Sequence, residues 1–143
     1  MAEPQSAILA EGESFGVFLT ALLAEGDEVA ARVRRVAAEL AGVTRETAER
    51  LGEPTLTAAI AIGAAAWPRL FAGAKPAGLV PFAPLADGPR RAPATPADLF
   101  IHIHSGRHDV NFVLAREVMK RLGQAVRLVE EVHGFRYLDS RDL

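Results

Sequence analysis

Two of the four histidines in this 143-residue chain lie two residues apart, at positions 102 and 104. Both fall in an alternating apolar stretch that predicts a β-strand, so the imidazoles of His102 and His104 should project from the same sheet face. Two imidazoles at this spacing can chelate a divalent metal ion. No acidic or cysteine third ligand is clearly placed beside them. We therefore favour a polar sheet face with only partly hydrogen-bonded histidines over a metal site.

Two further groups of residues have the types that catalysis uses. Ser105, His108 and Asp109 contain the side chains of a nucleophilic triad, but a triad is defined by spatial geometry and not by adjacency in sequence. Glu130 and Glu131 are neighbours on a predicted strand, so their carboxylates should point to opposite faces and cannot act as a pair. Neither group is assigned a catalytic role.

Trp67 and Tyr137 are the only tryptophan and tyrosine of the chain. Both residue types can relay electrons to a buried oxidant, although a lone aromatic side chain usually contributes to packing. Cysteine is absent, which excludes thiolate nucleophiles, cysteine-ligated zinc, iron–sulfur clusters and disulfides. Residue chemistry alone therefore assigns no catalytic, metal-ligating or cofactor-binding residue.

Composition indicates an ordinary soluble protein of one domain. Half of the residues are hydrophobic, 24% are charged and the formal net charge is −2. No basic stripe is present to bind phosphates, so we expect no nucleic-acid partner. The apolar run at 15–24 is too short to span a bilayer. It also precedes the first basic residue, Arg32, unlike a signal peptide, so we expect a cytoplasmic protein without a membrane partner.

The periodicity of apolar residues predicts the elements that position these side chains. Strands are predicted at Phe15–Leu23, 56–62, 99–103 and 125–137, and the alternation of the last strand breaks at Glu130 and Glu131, as a β-bulge would cause. Helices are predicted at 29–42 with Gly42 as the stop, at 44–51, at 64–71 with an interruption at Pro68, and at His108–Leu122 with Phe112 on its buried face.

The order of the main elements is β-α-β-β-α-β, which predicts an α+β domain with the ferredoxin-like fold. Its sheet is antiparallel, the first and third strands are central, and both helices cover one face. We place this domain at 15–143, after a loosely ordered N-terminus at 1–14. A long proline-rich insertion separates the second and third strands and contains Pro76, Pro81, Pro84, Pro89, Pro93 and Pro96.

The first predicted strand is apolar on both of its faces. Two helices cannot cover Phe18 and Leu22 as well as Val17 and Leu19, because the two pairs point to opposite sides of the sheet. We therefore expect the second sheet face to be buried by another domain or another chain. The isolated chain should then be marginally stable or should pair with a copy of itself.

Three stretches resemble the B-type dye-decolourising peroxidases. The first has Ile62-Gly63, then WPRLF at 67–71 and KPAGLVPF at 75–82; the second has APATPADLFIHI at 92–103; the third has MKRLG at 119–123, EVHGFRY at 131–137, Asp139 and RDL at 141–143. Each stretch alone is weak, but together they are specific. The likeness extends from about residue 7 over nearly the whole chain.

The resemblance implies a haem peroxidase with two ferredoxin-like domains in tandem, about twice this length. Haem b is held mainly in the C-terminal domain by a proximal histidine. A distal aspartate lies in a Gly-Phe-x-Asp-Gly motif, and a distal arginine follows later. Such an enzyme reduces hydrogen peroxide and oxidises dyes, phenols or metal ions.

These family ligands have no counterparts in the present chain. None of His102, His104, His108 and His133 matches the haem ligand, and His104 stands where relatives commonly carry arginine. We therefore expect no haem ligation and no activity from this chain alone. Its expected role is structural, in covering the haem pocket and building an oligomer with a C-terminal peroxidase domain or a second copy of itself. The alternative is a haem-free, self-associating ferredoxin-like binding or assembly module.

Overall fold

The computed structural model describes residues 3–95 and 97–140. Met1 and Ala2 of the predicted N-terminal segment, Pro96 of the proline-rich insertion, and 141–143 of the third motif stretch lie outside the described residues. The elements are α1 (Ser6–Leu9), β1 (Phe15–Leu23), α2 (Val29–Leu51), β2 (Thr57–Ile62), α3 (Trp67–Leu70), β3 (Leu85–Asp87), β4 (Arg90–Ala92), β5 (Leu99–Ser105), α4 (His108–Leu122) and β6 (Val126–Phe135). Within the described ranges, none of the helices is both long and apolar enough to cross a bilayer.

The main sheet has four strands in the order β2-β5-β1-β6, and every neighbouring pair is antiparallel. The central strands are therefore the first and third of the β-α-β-β-α-β series, as the ferredoxin-like topology predicts. Helices α2 and α4 pack against each other and against one face of the sheet. The core between them contains fully buried side chains from each layer, including Val17, Ile101, Val33 and Leu114.

Helix α2 is one continuous helix, so the predicted stop at Gly42 and the separate helix at 44–51 are wrong. A glycine inside a helix costs about 1 kcal/mol relative to alanine. Burial of Val43 and Thr47 in the following turns anchors the helix to the core beyond the glycine. The helix ends at Gly52, whose φ of 65° is left-handed and whose N–H bonds the carbonyls of Ala48 and Glu49.

Helix α4 has the predicted bounds, but Phe112 is not on its buried face. The Phe112 side chain is 42% exposed. The residues of α4 that are buried are Val110, Asn111, Leu114, Ala115, Val118 and Leu122. Their stripe places Phe112 at the border of the helix, beside the edge of the sheet.

The break in alternation on β6 is a β-bulge, as predicted. Thr20 pairs with Glu130, whereas the next residue, Ala21, pairs with Leu128. Val129 is therefore the extra residue, and the register shift restores an apolar side chain to the helix-covered face at Leu128.

The N-terminal segment lies along the outer edge of β2. The side-chain amide of Gln5 accepts from Ile60 N–H at 2.8 Å and donates to Ile60 O at 3.0 Å. The Ser6 hydroxyl bonds the N–H and the carbonyl of Ala58 in the same way, at 3.1 and 3.2 Å. These side chains satisfy edge groups that another strand would otherwise pair. The domain boundary after position 14 stays a prediction.

The segment between β2 and β5 carries α3 and a small two-stranded sheet formed by β3 and β4. Several of its large apolar side chains are exposed, namely Val80, Phe82 and Leu85. Where this segment rejoins the main sheet, its backbone passes very close to Gly63. A Cβ at Gly63 would lie 2.2 Å from the carbonyl oxygen of Ala97.

Candidate functional site

The sheet face opposite the helices presents an aromatic and apolar surface, which we call the open face. It contains Phe18 and Leu22 of β1, Phe100 of β5 and Val132 of β6. Phe18 is paired in register with Val132, and its ring stacks on that of Phe100 with centroids 6.1 Å apart. Phe100 is 41% exposed and Val132 is 44% exposed. Helices α2 and α4 pack against the opposite face of the sheet and leave these side chains uncovered.

Two glycines make room for the central ring of the open face. Gly16 and Gly134 are paired in register on β1 and β6. A Cβ at Gly16 would lie 3.1 Å from the Phe18 ring, and one at Gly134 would lie 3.2 Å from it. The Phe18 ring therefore occupies the space above these two glycines, where any larger side chain would crowd it.

His102 and His104 project from the open face together, as their spacing predicts. Their ring centroids are 4.9 Å apart, and the ring of His102 also stacks on Phe18 at 4.7 Å. His104 is only 5% exposed, and its Nε2 lies 3.0 Å from the hydroxyl of Thr57. Burial, and secondarily the neighbouring His104, lowers the pKa of His102. His104 is therefore hydrogen-bonded, whereas His102 is held by ring contacts on a face that is otherwise aromatic and apolar.

The residue types of a nucleophilic triad are held apart by separate partners. Ser105 is fully buried and donates to Asn111 Oδ1 at 2.7 Å. The carboxylate of Asp109 accepts two hydrogen bonds from the guanidinium of Arg107, at 2.6 and 3.2 Å, and these bonds lower the pKa of Asp109. The imidazole of His108 is bonded to another histidine. The three side chains therefore form no triad.

A second pair of histidines is assembled by the fold on the helix-covered side. Nε2 of His108, at the start of α4, lies 2.9 Å from Nδ1 of His133 on β6. The other nitrogen of His133, Nε2, lies 2.7 Å from Oε1 of Glu131. Glu130 instead occupies the open face beside Thr20, so the adjacent glutamates do point to opposite sides. Sequence reasoning missed this pair, because its members are 25 positions apart on different elements.

The two aromatic residues considered for electron transfer occupy different surroundings. Trp67 donates from Nε1 to the carbonyl of Gly73 at 3.3 Å, and its ring lies 4.6 Å from that of Phe71. These contacts are those of a packing residue. Tyr137 is 42% exposed, just beyond the end of β6.

Comparison with known sequences identifies the relatives of this chain. Residues 5–136 match the family model described as "Dyp-type peroxidase, N-terminal". A dye-decolorizing peroxidase of Brevibacterium linens is 42% identical over 127 residues, which are 89% of this chain and 34% of the relative. One of Mycobacterium tuberculosis is 43% identical over 137 residues, covering 95% of this chain and 40% of the relative. The chain thus spans well under half of the curated relatives it matches.

Solved structures agree with the sequence comparison. DyPB from Rhodococcus jostii RHA1 superposes with a TM-score of 0.91 at 38% identity, over 100% of this chain and 46% of that chain. The encapsulated DyP-type peroxidase from Mycobacterium smegmatis gives a TM-score of 0.92 at 38% identity, over 100% of this chain and 45% of that chain. A variant of the R. jostii protein was solved in complex with heme. This chain belongs to the dye-decolourising peroxidase family and corresponds to its N-terminal ferredoxin-like domain.

Proposed function

We propose that this domain is the structural half of a haem-dependent peroxidase, and that its open face packs against the haem-binding remainder of that protein. The observation that carries the proposal is the exposed aromatic surface around Phe18 and Phe100, on the sheet face that α2 and α4 leave uncovered. A ferredoxin-like sheet with apolar side chains on both faces needs a second covering layer. The relatives contain further chain, beyond the part matched here, that can supply it.

The histidines of the open face do not fit axial ligation of haem. His104 is buried and bonded to Thr57. The ring of His102 stacks on that of Phe18 with centroids 4.7 Å apart, which holds it along the sheet. We therefore assign no haem ligand to this chain.

The chain's contribution to the reaction is then exclusion of water and shaping of the pocket wall. In the full-length enzyme, the haem would provide the redox chemistry, which is the reduction of hydrogen peroxide and the oxidation of dyes or phenols. The stacked rings of Phe18 and Phe100, with Val132 beside them, form an apolar wall that keeps solvent from the layer packed against it. Burying the exposed parts of Phe100 and Val132 contributes about 1 kcal/mol for each side chain, since full burial of such a residue is worth about 1.5–3 kcal/mol.

A chimera tests this proposal. This chain replaces the corresponding N-terminal domain of the R. jostii peroxidase, and haem content and peroxidase turnover are measured. We expect the chimera to bind haem and to turn over peroxide. Introducing Phe100→Asp should abolish both properties, because it places a carboxylate in the domain interface.

Phe112→Asp is the matched control, because Phe112 is 42% exposed and Phe100 41% exposed, but Phe112 lies on the helix-covered side. It should leave haem content and turnover unchanged. Equal loss of activity in the two variants, or normal activity in Phe100→Asp, would show that the open face is not the interface.

The open face also favours a second candidate function, a haem-free module that pairs with its own copy. Symmetric pairing of two open faces would bury Phe100 and Val132 of each protomer. Sedimentation of the pure chain should then show a dimer that Phe100→Asp converts to monomer, and the melting temperature should rise with protein concentration. A monomer whose melting temperature does not depend on concentration would exclude this function.

A further inference from the structure

The two edges of the main sheet are protected in different ways. The edge strand β6 contains a bulge at Val129 and the charged residues Glu130 and Glu131, which are features that discourage pairing with another chain. The opposite edge strand, β2, has the sequence TAAIAI, with no charge, no proline and an unbroken register with β5. Its edge is instead covered by residues 3–10, which we call the N-terminal guard.

The guard satisfies the outward-facing backbone of β2 with side chains and not with a strand. Gln5 bonds both the N–H and the carbonyl of Ile60. Ser6 bonds both groups of Ala58. Helix α1 of the guard has four residues, no side-chain cap and no buried side chain. Detachment of the guard therefore breaks these hydrogen bonds but takes no guard side chain out of the core.

The four backbone groups that the guard bonds are those that a second copy of β2 would pair. When two β2 strands run antiparallel about a two-fold axis at Ala59, Ala58 of each copy lies opposite Ile60 of the other. Such opposite residues exchange two hydrogen bonds, so all four groups of each copy are paired again. We propose that detachment of the guard lets β2 pair in this way with β2 of a second copy, which joins two four-stranded sheets into one continuous sheet.

The surroundings of β2 suit a second copy of the same chain. The side chains of Ala58 and Ile60 both belong to the helix-covered side, so the two-fold pairing sets a small side chain of each copy against a large one of the other. A cleft of about 210 Å³ beside them is lined by Ala37 and Ala41, which lie one turn apart on α2 and leave room for that isoleucine. The pairing buries no charge of β2 and does not use the open face, so it is independent of the proposed function.

Disulfide cross-linking tests the pairing, because the chain has no cysteine of its own. Ala59→Cys places a thiol at the two-fold axis, where opposite Cα atoms are about 4.5 Å apart, within the range of a disulfide. Gln5→Ala with Ser6→Ala removes the guard's hydrogen bonds. With these two changes, Ala59→Cys should form a covalent dimer under mild oxidation at least tenfold faster than Ala59→Cys does alone.

Ala61→Cys, combined with the same two guard changes, is the matched control. Ala61 lies on the same sheet face as Ala59 and is the more exposed of the two. In the proposed register, however, the two copies of position 61 are four residues apart along the strands, or roughly 14 Å. Ala61→Cys should therefore cross-link at least tenfold more slowly than Ala59→Cys. Adding Phe100→Asp should leave the cross-linking of Ala59→Cys unchanged, which separates edge pairing from pairing through the open face.

Amide hydrogen exchange of the unmodified chain gives a second test that needs no variant. The N–H groups of Ala58 and Ile60 face the guard, whereas that of Ala59 faces β5. The first two should exchange at least tenfold faster than the third, because detachment of the guard exposes them. Equal protection of the three amides, equal cross-linking with and without the guard changes, or faster cross-linking at position 61 than at 59 would overturn the proposal.

Discussion

Asn111 holds together the three elements that meet at one end of the sheet, so its removal should be among the most destabilising changes in the domain. The side chain is fully buried on α4. Its Nδ2 donates to the carbonyl of Phe15 at the start of β1, at 3.0 Å, and its Oδ1 accepts from Ser105 at the end of β5, at 2.7 Å. Asn111→Ala deletes both hydrogen bonds at once.

The loss in free energy of unfolding can be worked out from the groups that lose a hydrogen-bond partner. Each hydrogen bond contributes about 1 kcal/mol net, and a buried acceptor left without a donor costs about 1–3 kcal/mol. The carbonyl of Phe15 loses a donor, whereas the hydroxyl of Ser105 keeps the carbonyl of Arg107 as an acceptor at 3.0 Å. We therefore expect Asn111→Ala to lower the free energy of unfolding by about 2–4 kcal/mol. At this chain length that is a fall of roughly 5–15 °C in melting temperature.

Urea denaturation of the wild type and of Asn111→Ala measures the difference directly. Asn111→Leu fills the volume without restoring the hydrogen bonds and should still be destabilised by more than about 1 kcal/mol. Gln124→Ala removes an exposed amide and should change the stability by less than about 0.5 kcal/mol. Wild-type stability of Asn111→Leu would refute the reasoning, because the site would then need only volume and not hydrogen bonds.

Four further tests address separate features. Gly63→Ala should destabilise the domain by about 1–3 kcal/mol in urea titrations, because its Cβ meets the carbonyl of Ala97. Gly42→Ala, in the open interior of α2, should stabilise it by about 0.5–1 kcal/mol; the opposite order of these two variants would contradict the packing described. Burial and the neighbouring His104 lower the pKa of His102 in the folded chain, so the unfolded chain binds a proton first and the free energy of unfolding should fall as the pH drops below about 6.5. His102→Gln should flatten that fall, and an unaltered pH profile would rule out this origin. The isolated chain with added haem should show no peroxidase turnover, and robust turnover with a five-coordinate haem spectrum would show that it does supply the ligands.

Much of this fold is encoded in local patterns of the sequence. The alternation around Ile101 and Ile103 predicts β5 and places His102 and His104 on one face. The spacing of apolar residues up to Leu122 predicts α4 with its observed bounds. These predictions succeed because side-chain direction in a strand or helix follows from residue spacing alone. The motif stretches identify the family, which the periodicity of apolar residues cannot do.

Tertiary structure decided which groups meet. By local preference, Gly42 would end a helix. Helix α2 continues through it because Val43 and the turns that follow are buried in the core. Ser105 has the residue type of a nucleophile, and only its burial against α4 makes it a hydrogen-bond donor to Asn111. His108 and His133 become neighbours because β6 pairs with β1 at the sheet edge beside α4. Contacts between elements far apart in sequence depend on strand order and packing, and local periodicity contains no information on either.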